Sequence, residues 1–130
     1  MAEQTTTLEE ALGLELVELH EDRATGRFAV TDSVKQHLGV VHGGVYASLA
    51  ESLASHATHV VVSKDGNAAM GLSNATNFLR PVAEGDVHGE ATCLHRGRTT
   101  WVWDVRLTDS EGRLCAVSRV TVAVRPARSG

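Results

Sequence analysis

The sequence predicts an α+β fold, with one long helix packed on one face of an antiparallel sheet, on the strength of three observations. Between Gly43 and Ser63 there is no proline, and Val45, Leu49, Leu53, Ala57 and Val60 recur at helical spacings of four, four, four and three. Beyond Ala68 the period changes to two: Val87, Gly89, Ala91 and Cys93 share one side of a strand, and Trp101, Trp103, Val105 and Leu107 share one side of another. The connections between these strands are short, which favours antiparallel pairing. A short helix, two strands, one long helix and a four-strand meander follow in that order, and such an order places the helix against the sheet.

Each element has a local reason. Thr7-Leu8-Glu9-Glu10-Ala11-Leu12-Gly13 reads as a short helix with acids in its first turn and a glycine stop, preceded by a flexible tail over residues 1–7. Leu14 to His20 and Ala24 to Val30 flank the charged turn Glu21-Asp22-Arg23 as a hairpin. Thr31-Asp32-Ser33 starts a turn or short helix through His37. The long helix runs from about Gly43 to Ser63 and ends at Lys64-Asp65-Gly66-Asn67. Strands follow over Ala68 to Phe78, Val87 to Leu94 and Thr100 to Leu107. Asp109-Ser110-Glu111-Gly112 is a hairpin turn. It leads into a last strand with Leu114, Ala116, Ser118, Val120, Val122 and Val124 on one face.

Composition narrows the function classes. A chain of 130 residues with 42 % apolar and 22 % charged residues fits one domain over 1–130. Twelve basic against sixteen acidic side chains leave a formal charge of −4, which speaks against a general nucleic-acid binder. No apolar run reaches transmembrane length, and the acidic start MAEQTTTLEEALG is unlike a signal peptide, so the expected compartment is the cytoplasm. Cys93 and Cys115 are 22 positions apart, outside redox and zinc spacings, and read as reduced thiols packed like small apolar groups. Charge is uneven: eight arginines stand against six acids from Leu79 onward. Such an excess suits a small polyanionic ligand, or else it represents solvated arginines on strand faces.

The long helix is unusual in carrying one full charge, Glu51, among Ser48, Ser52, Ser55, Thr58 and two histidines. A helix small or apolar all round is expected to be wrapped by the sheet, covered by a partner subunit, or both. Gly44, Ser48, Ser55 and Thr58 fall on the Glu51 face, with no Lys or Arg three or four residues away to pair the carboxylate. A buried unpaired carboxylate is costly. It reads as a reactive group lining a cleft, against the alternative of a partly exposed glutamate on a tolerant face. The approach Gly39-Val40-Val41-His42-Gly43-Gly44 supports the first reading, because the free N–H groups of a glycine-rich helix start stabilise negative charge developing on an oxygen. Gly71-Leu72-Ser73-Asn74-Ala75 has the form of a nucleophile elbow but lies in strand-like sequence, which argues against a serine nucleophile. His56 and His59 lack a third ligand at useful spacing, so no metal is expected.

His42-Gly43-Gly44 followed by Leu49-Ala50-Glu51 resembles the hotdog-fold acyl-CoA thioesterases of the PaaI-like group. The stretches VTDSVKQHLGVVHGG, SNATNFLRPVAEGDV, TTWVWDV and GRLCAVS with the following VAVRP are most similar to the Arthrobacter-type 4-hydroxybenzoyl-CoA thioesterases. The resemblance implies an antiparallel sheet wrapped around the long central helix. It also implies hydrolysis of an aromatic acyl-CoA to acid and CoA, with no cofactor beyond the CoA of the substrate. By position, Glu51 resembles the catalytic nucleophile or general base, and Gly43 the residue whose backbone N–H polarises the thioester carbonyl. Gln36 resembles the polar residue assisting at the carbonyl or at water, Ser55 a water-orienting hydroxyl, and His42 a residue holding the loop. Arg80, Thr99 and Arg128 resemble contacts to the CoA nucleotide and phosphates. Arg98 stands where relatives carry a small hydroxyl residue, and either adds a phosphate contact or points to solvent. Family members build the site across a dimer and usually pair dimers into tetramers. A non-catalytic acyl-CoA-binding module and a hydroxyacyl-CoA dehydratase are the competing classes.

Overall fold

Thr7 opens the first helix, α1 (Leu8–Leu12), by accepting the Glu10 N–H at 3.2 Å, and Gly13 closes it in the left-handed region at φ 71°. The molecule is seen here as a computed structural model that describes residues 6–128. Of the tail expected over residues 1–7, residues 1–5 lie outside the described residues, and Thr7 is the α1 cap. The strands are β1 (Glu15–Leu19), β2 (Arg23–Ala29), β3 (Asn67–Phe78), β4 (Asp86–Arg96), β5 (Thr100–Thr108) and β6 (Leu114–Pro126). The second α-helix, α2 (Gly43–Val62), lies between β2 and β3 in sequence. Among the described residues no helix is long and apolar enough to cross a membrane.

The α+β class and the single long central helix are as expected, and all six strands form one antiparallel sheet. The strand order departs from the expected meander. It is β1-β2-β4-β5-β6-β3, so β3 crosses to the far edge and pairs with β6 rather than with β4. The connection Leu79–Gly85 therefore spans the sheet instead of making a hairpin, and the Leu79 and Arg80 N–H groups both donate to the Cys115 carbonyl on the way.

Helix α2 touches every strand. Its inner face, Val45, Tyr46, Leu49, Ala50, Leu53, Ala54 and Ala57, is buried against Trp101, Trp103, Val105 and Leu107 of β5 and Val120 and Val122 of β6. Leu49 and Leu53 come close because β2 and β4 carry Gly26 and Gly89 beneath them. A Cβ at Gly26 would lie 2.9 Å from a Leu53 methyl, and one at Gly89 3.0 Å from the other. Cys115 donates to the Leu107 carbonyl at 3.2 Å, and burial pushes its thiol pKa up, in keeping with a packed reduced thiol.

The burial expected all round α2 does not occur within one chain. Glu51, His56, His59 and Val60 are exposed, Val60 by 42 %, because the sheet curls around only one side of the helix.

Candidate active site

The start of α2 is fixed by the loop before it. His42 N–H donates to the Val34 carbonyl at 2.8 Å, Val41 N–H to Val82 at 2.9 Å, and Gln36 N–H to Val40 at 2.9 Å. His42 is the N-cap: its Nδ1 accepts the Gly44 N–H at 2.9 Å, which places the proton of the neutral ring on Nε2. Among the described residues the Gly43 N–H, first of the helix, has no acceptor. It opens on a cleft of about 530 Å³ whose walls include Gln36, His42, Phe78, Leu79 and Arg80. The Gln36 side-chain oxygen, Oε1, accepts the Leu38 N–H. Beneath the cleft lies Tyr46, whose ring meets Phe28 and Phe78 at centroid distances of 6.1 and 6.0 Å. Burial pushes the Tyr46 phenol pKa up, so that hydroxyl stays protonated.

Glu51 borders a second cleft, of about 580 Å³, together with Ser48, Ser52, Ser55, His56, Asn74 and the α1 residues Leu8 and Glu9. Among the described residues it makes no ion pair. Its carboxylate lies over Gly71 of β3, where a Cβ would stand 2.9 Å from Cδ. The Ser55 hydroxyl, one turn on, is buried and has no hydrogen-bond partner among the described residues. The wall of this cleft is tied down at two points. Asn74 Nδ2 donates to the Ala47 carbonyl at 2.9 Å, and His56 pairs with Glu9 at 2.9 Å, joining α1 to α2.

Two expectations about Glu51 change. The glutamate is exposed in the single chain, because it faces the sheet edge at β3 rather than the sheet centre. Thr58 does not extend its polar strip. Two turns along, the sheet closes over that face, and Thr58 is a core residue that donates to the Ala54 carbonyl and accepts the Trp103 Nε1–H at 2.9 Å.

The predicted residues therefore divide. Glu51 and Ser55 share one cleft, while Gln36, His42, Gly43 and Arg80 share the other. Gly43 and Glu51 are eight residues apart on one helix, about 12 Å along its axis. Arg98 and Thr99 lie in the β4–β5 turn, and Arg128 follows β6, all at the end of the sheet where α2 finishes. Arg80 lies beyond β3, beside the start of α2, so the helix separates it from the other three by about 30 Å. Arg96, Arg106, Arg113 and Arg119 pair with Glu21, Asp104, Asp109 and Asp104. Ion pairing within the chain thus accounts for four of the eight later arginines. Among the described residues Arg80, Arg98 and Arg128 have no carboxylate partner, which leaves them available to an anion.

Sequence reasoning missed Gly71, Asn74 and Phe78. All three lie on β3 facing α2, and the signal for the first was a glycine inside strand-like sequence. Phe78 lies so close to the helix start that a Cβ on Gly43 would be 2.7 Å from its ring. The segment Gly71–Ala75 is strand throughout, as expected, and no turn there presents Ser73 as a nucleophile.

Comparison with known proteins places these features in context. Residues 38–116 match the family model described as the Thioesterase superfamily. The chain is 36 % identical over 118 residues to the proofreading thioesterase EntH of Cronobacter turicensis, covering 91 % of this chain and 85 % of that one. It is 35 % identical over 121 residues to a 1,4-dihydroxy-2-naphthoyl-CoA hydrolase of Listeria monocytogenes, covering 93 % and 98 %. Among solved structures it is similar to the thioesterase SAV0944 of Staphylococcus aureus, with a TM-score of 0.89, 29 % identity and coverage of 93 % and 100 %. Crystal structures of that protein include one with a glutamine replaced by alanine and another with a glutamate fifteen positions later so replaced.

Proposed function

The chain belongs to the thioesterase superfamily, has its hotdog fold and is a thioester hydrolase; from that premise we propose that it hydrolyses aromatic acyl-CoA esters, of the 4-hydroxybenzoyl-CoA kind, to the free acid and CoA. The observation that carries this reading is Glu51: the single full charge of α2, without an ion-pair partner among the described residues, beside an unpartnered buried hydroxyl in an open cleft. Fifteen positions separate Gln36 from Glu51, the spacing of the glutamine and glutamate replaced in the S. aureus thioesterase. The aromatic acyl group is supported by the Listeria relative, whose substrate is a naphthoyl ester.

The chemistry uses two clefts that one chain keeps apart. A thioester carbonyl must lie about 3 Å from both the attacking group and the oxyanion donor, and about 12 Å of helix separates Glu51 from the Gly43 N–H. The site is therefore completed by a second copy, with Glu51 from one chain and Gly43 and Gln36 from the other. Strand β3 supplies a surface for that pairing: an edge strand of twelve residues without lysine, exposing Met70, Leu72 and Phe78. Such dimers then pair into a tetramer.

In the reaction the Gly43 N–H, at the positive end of α2, stabilises the oxyanion as the carbonyl carbon becomes tetrahedral. Glu51 acts in one of two ways. As a general base it takes a proton from the water that attacks the carbon; the intermediate collapses, and the departing CoA thiolate receives that proton. As a nucleophile it displaces CoA to form an anhydride, which water then opens. Ser55 orients the water. Arg80, from one chain, and Arg98, Thr99 and Arg128, from the other, hold the CoA phosphates, and the compartment is the cytoplasm, where CoA esters are made.

Thiol release from benzoyl-CoA by the wild type and by Glu51→Ala tests the reading. Loss of turnover in the variant is expected. Wild-type turnover in it would refute the role of Glu51.

A further inference from the structure

Gly71 stands inside β3, and its own backbone does not call for glycine: the positive-φ glycines are Gly13, Gly39, Gly66, Gly85 and Gly112. A strand interior is a poor place for a residue with no side chain to pack. The reason lies above it. A Cβ at Gly71 would meet three Glu51 atoms first, Cδ at 2.9 Å, Oε2 at 3.0 Å and Cγ at 3.2 Å. The strand is also built to hold this arrangement. The register between β3 and β6 shifts between Gly71 and Ser73, so Leu72 is an inserted residue, and the insertion turns both Gly71 and Asn74 toward α2. Asn74 then anchors the helix through the Ala47 carbonyl, one turn before Glu51.

We infer that Gly71 is a positioning residue for the reacting carboxylate, its missing side chain letting Glu51 lie against β3 and so fixing the distance from the carboxylate to the thioester carbon. The inference rests on the reading of Glu51 given above. A methyl group at this position does not collide with backbone. It displaces the end of a flexible side chain, so its cost falls on geometry at the reacting atoms rather than on folding.

The test uses the full chain, with thiol release from benzoyl-CoA and thermal unfolding as readouts. In Gly71→Ala, kcat falls by about tenfold to a hundredfold, the cost of a displacement of up to about 1 Å. KM changes by less than about twofold, and the melting midpoint is unchanged or higher. In a Glu51→Asp background the carboxylate is one methylene shorter and clears the new methyl, so adding Gly71→Ala costs less than about twofold in kcat. Wild-type kcat in Gly71→Ala, beside an inactive Glu51→Ala, overturns the inference and leaves the role of Glu51 standing. A parallel fall in kcat and melting midpoint in both backgrounds, or failure of Gly71→Ala to fold, also overturns it. Wild-type turnover in Glu51→Ala overturns the reading on which it rests.

Discussion

Leu49 and Leu53 settle into the hollows above Gly26 and Gly89 in the middle of the sheet, while Glu51, on another side of the same helix, settles above Gly71 on the edge strand. Both seats use a glycine to admit a long side chain, and they differ in what surrounds the glycine. Strands β2 and β4 have neighbours on both sides, so the two leucines are fully buried and drive the packing of α2. Strand β3 has β6 on one side only, so the carboxylate above it stays reachable from the cleft. The same local device builds a core where the sheet continues within the chain and leaves a carboxylate exposed over its edge strand, the strand proposed above to meet a second copy.

The contrast is sharpest in its largest effect. Glu51→Ala lowers kcat by about a hundredfold to ten-thousandfold, the range of a lost acid–base group, and leaves the melting midpoint near that of the wild type. Leu53→Ala does the reverse. It empties a fully buried position and costs about 2–5 kcal/mol in denaturant unfolding, with kcat per folded molecule little changed. Gly89→Ala presses a methyl group into the Leu49 and Leu53 side chains and costs about 1–3 kcal/mol. A smaller loss is expected for His42→Ala, which removes the α2 cap and costs about 1 kcal/mol by the same measurement.

The smallest effect depends on pH and lies in the β5–β6 turn. The Arg113 backbone N–H holds the Asp109 carboxyl pKa below the usual aspartate range, with the Arg113 guanidinium and the Glu111 N–H adding to it against an opposing effect of burial. A carboxylate with a depressed folded pKa stabilises the fold above its unfolded value, and that contribution is lost as pH falls through the folded value. The melting midpoint of the wild type therefore drops below about pH 4, and Asp109→Asn has a flatter acid limb. An equally steep limb in the variant would show that Asp109 contributes nothing to it.

What was legible in the sequence was local. The turn Asp109–Gly112, the stripe Trp101–Leu107 and the helix from Gly43 follow from period and turn chemistry, each within a few residues. The resemblance around His42-Gly43-Gly44 and Glu51 carried the family. The position of β3 was not legible, because it depends on a crossover across the whole sheet that no turn residue signals. Two site features depend on that strand: the exposure of Glu51 at the sheet edge, and the bulge that turns Gly71 and Asn74 to the same side. Thr58 shows the limit of helical periodicity. Its spacing places it on the Glu51 face, but the sheet covers that face two turns on, and Trp103 claims the hydroxyl.

The central claim is that Glu51 of one chain works with Gln36 and Gly43 of another. Subunit mixing of Glu51→Ala with Gln36→Ala tests it most directly, with thiol release from benzoyl-CoA as the readout. Each variant alone is expected to have lost most of its turnover. After random exchange, half of the dimers contain one of each chain, and each of those has one site with both residues intact, so activity returns to about a quarter of the wild type. Recovery at that level is the predicted result. No recovery after verified exchange would contradict the claim and place all three residues in a site within one chain.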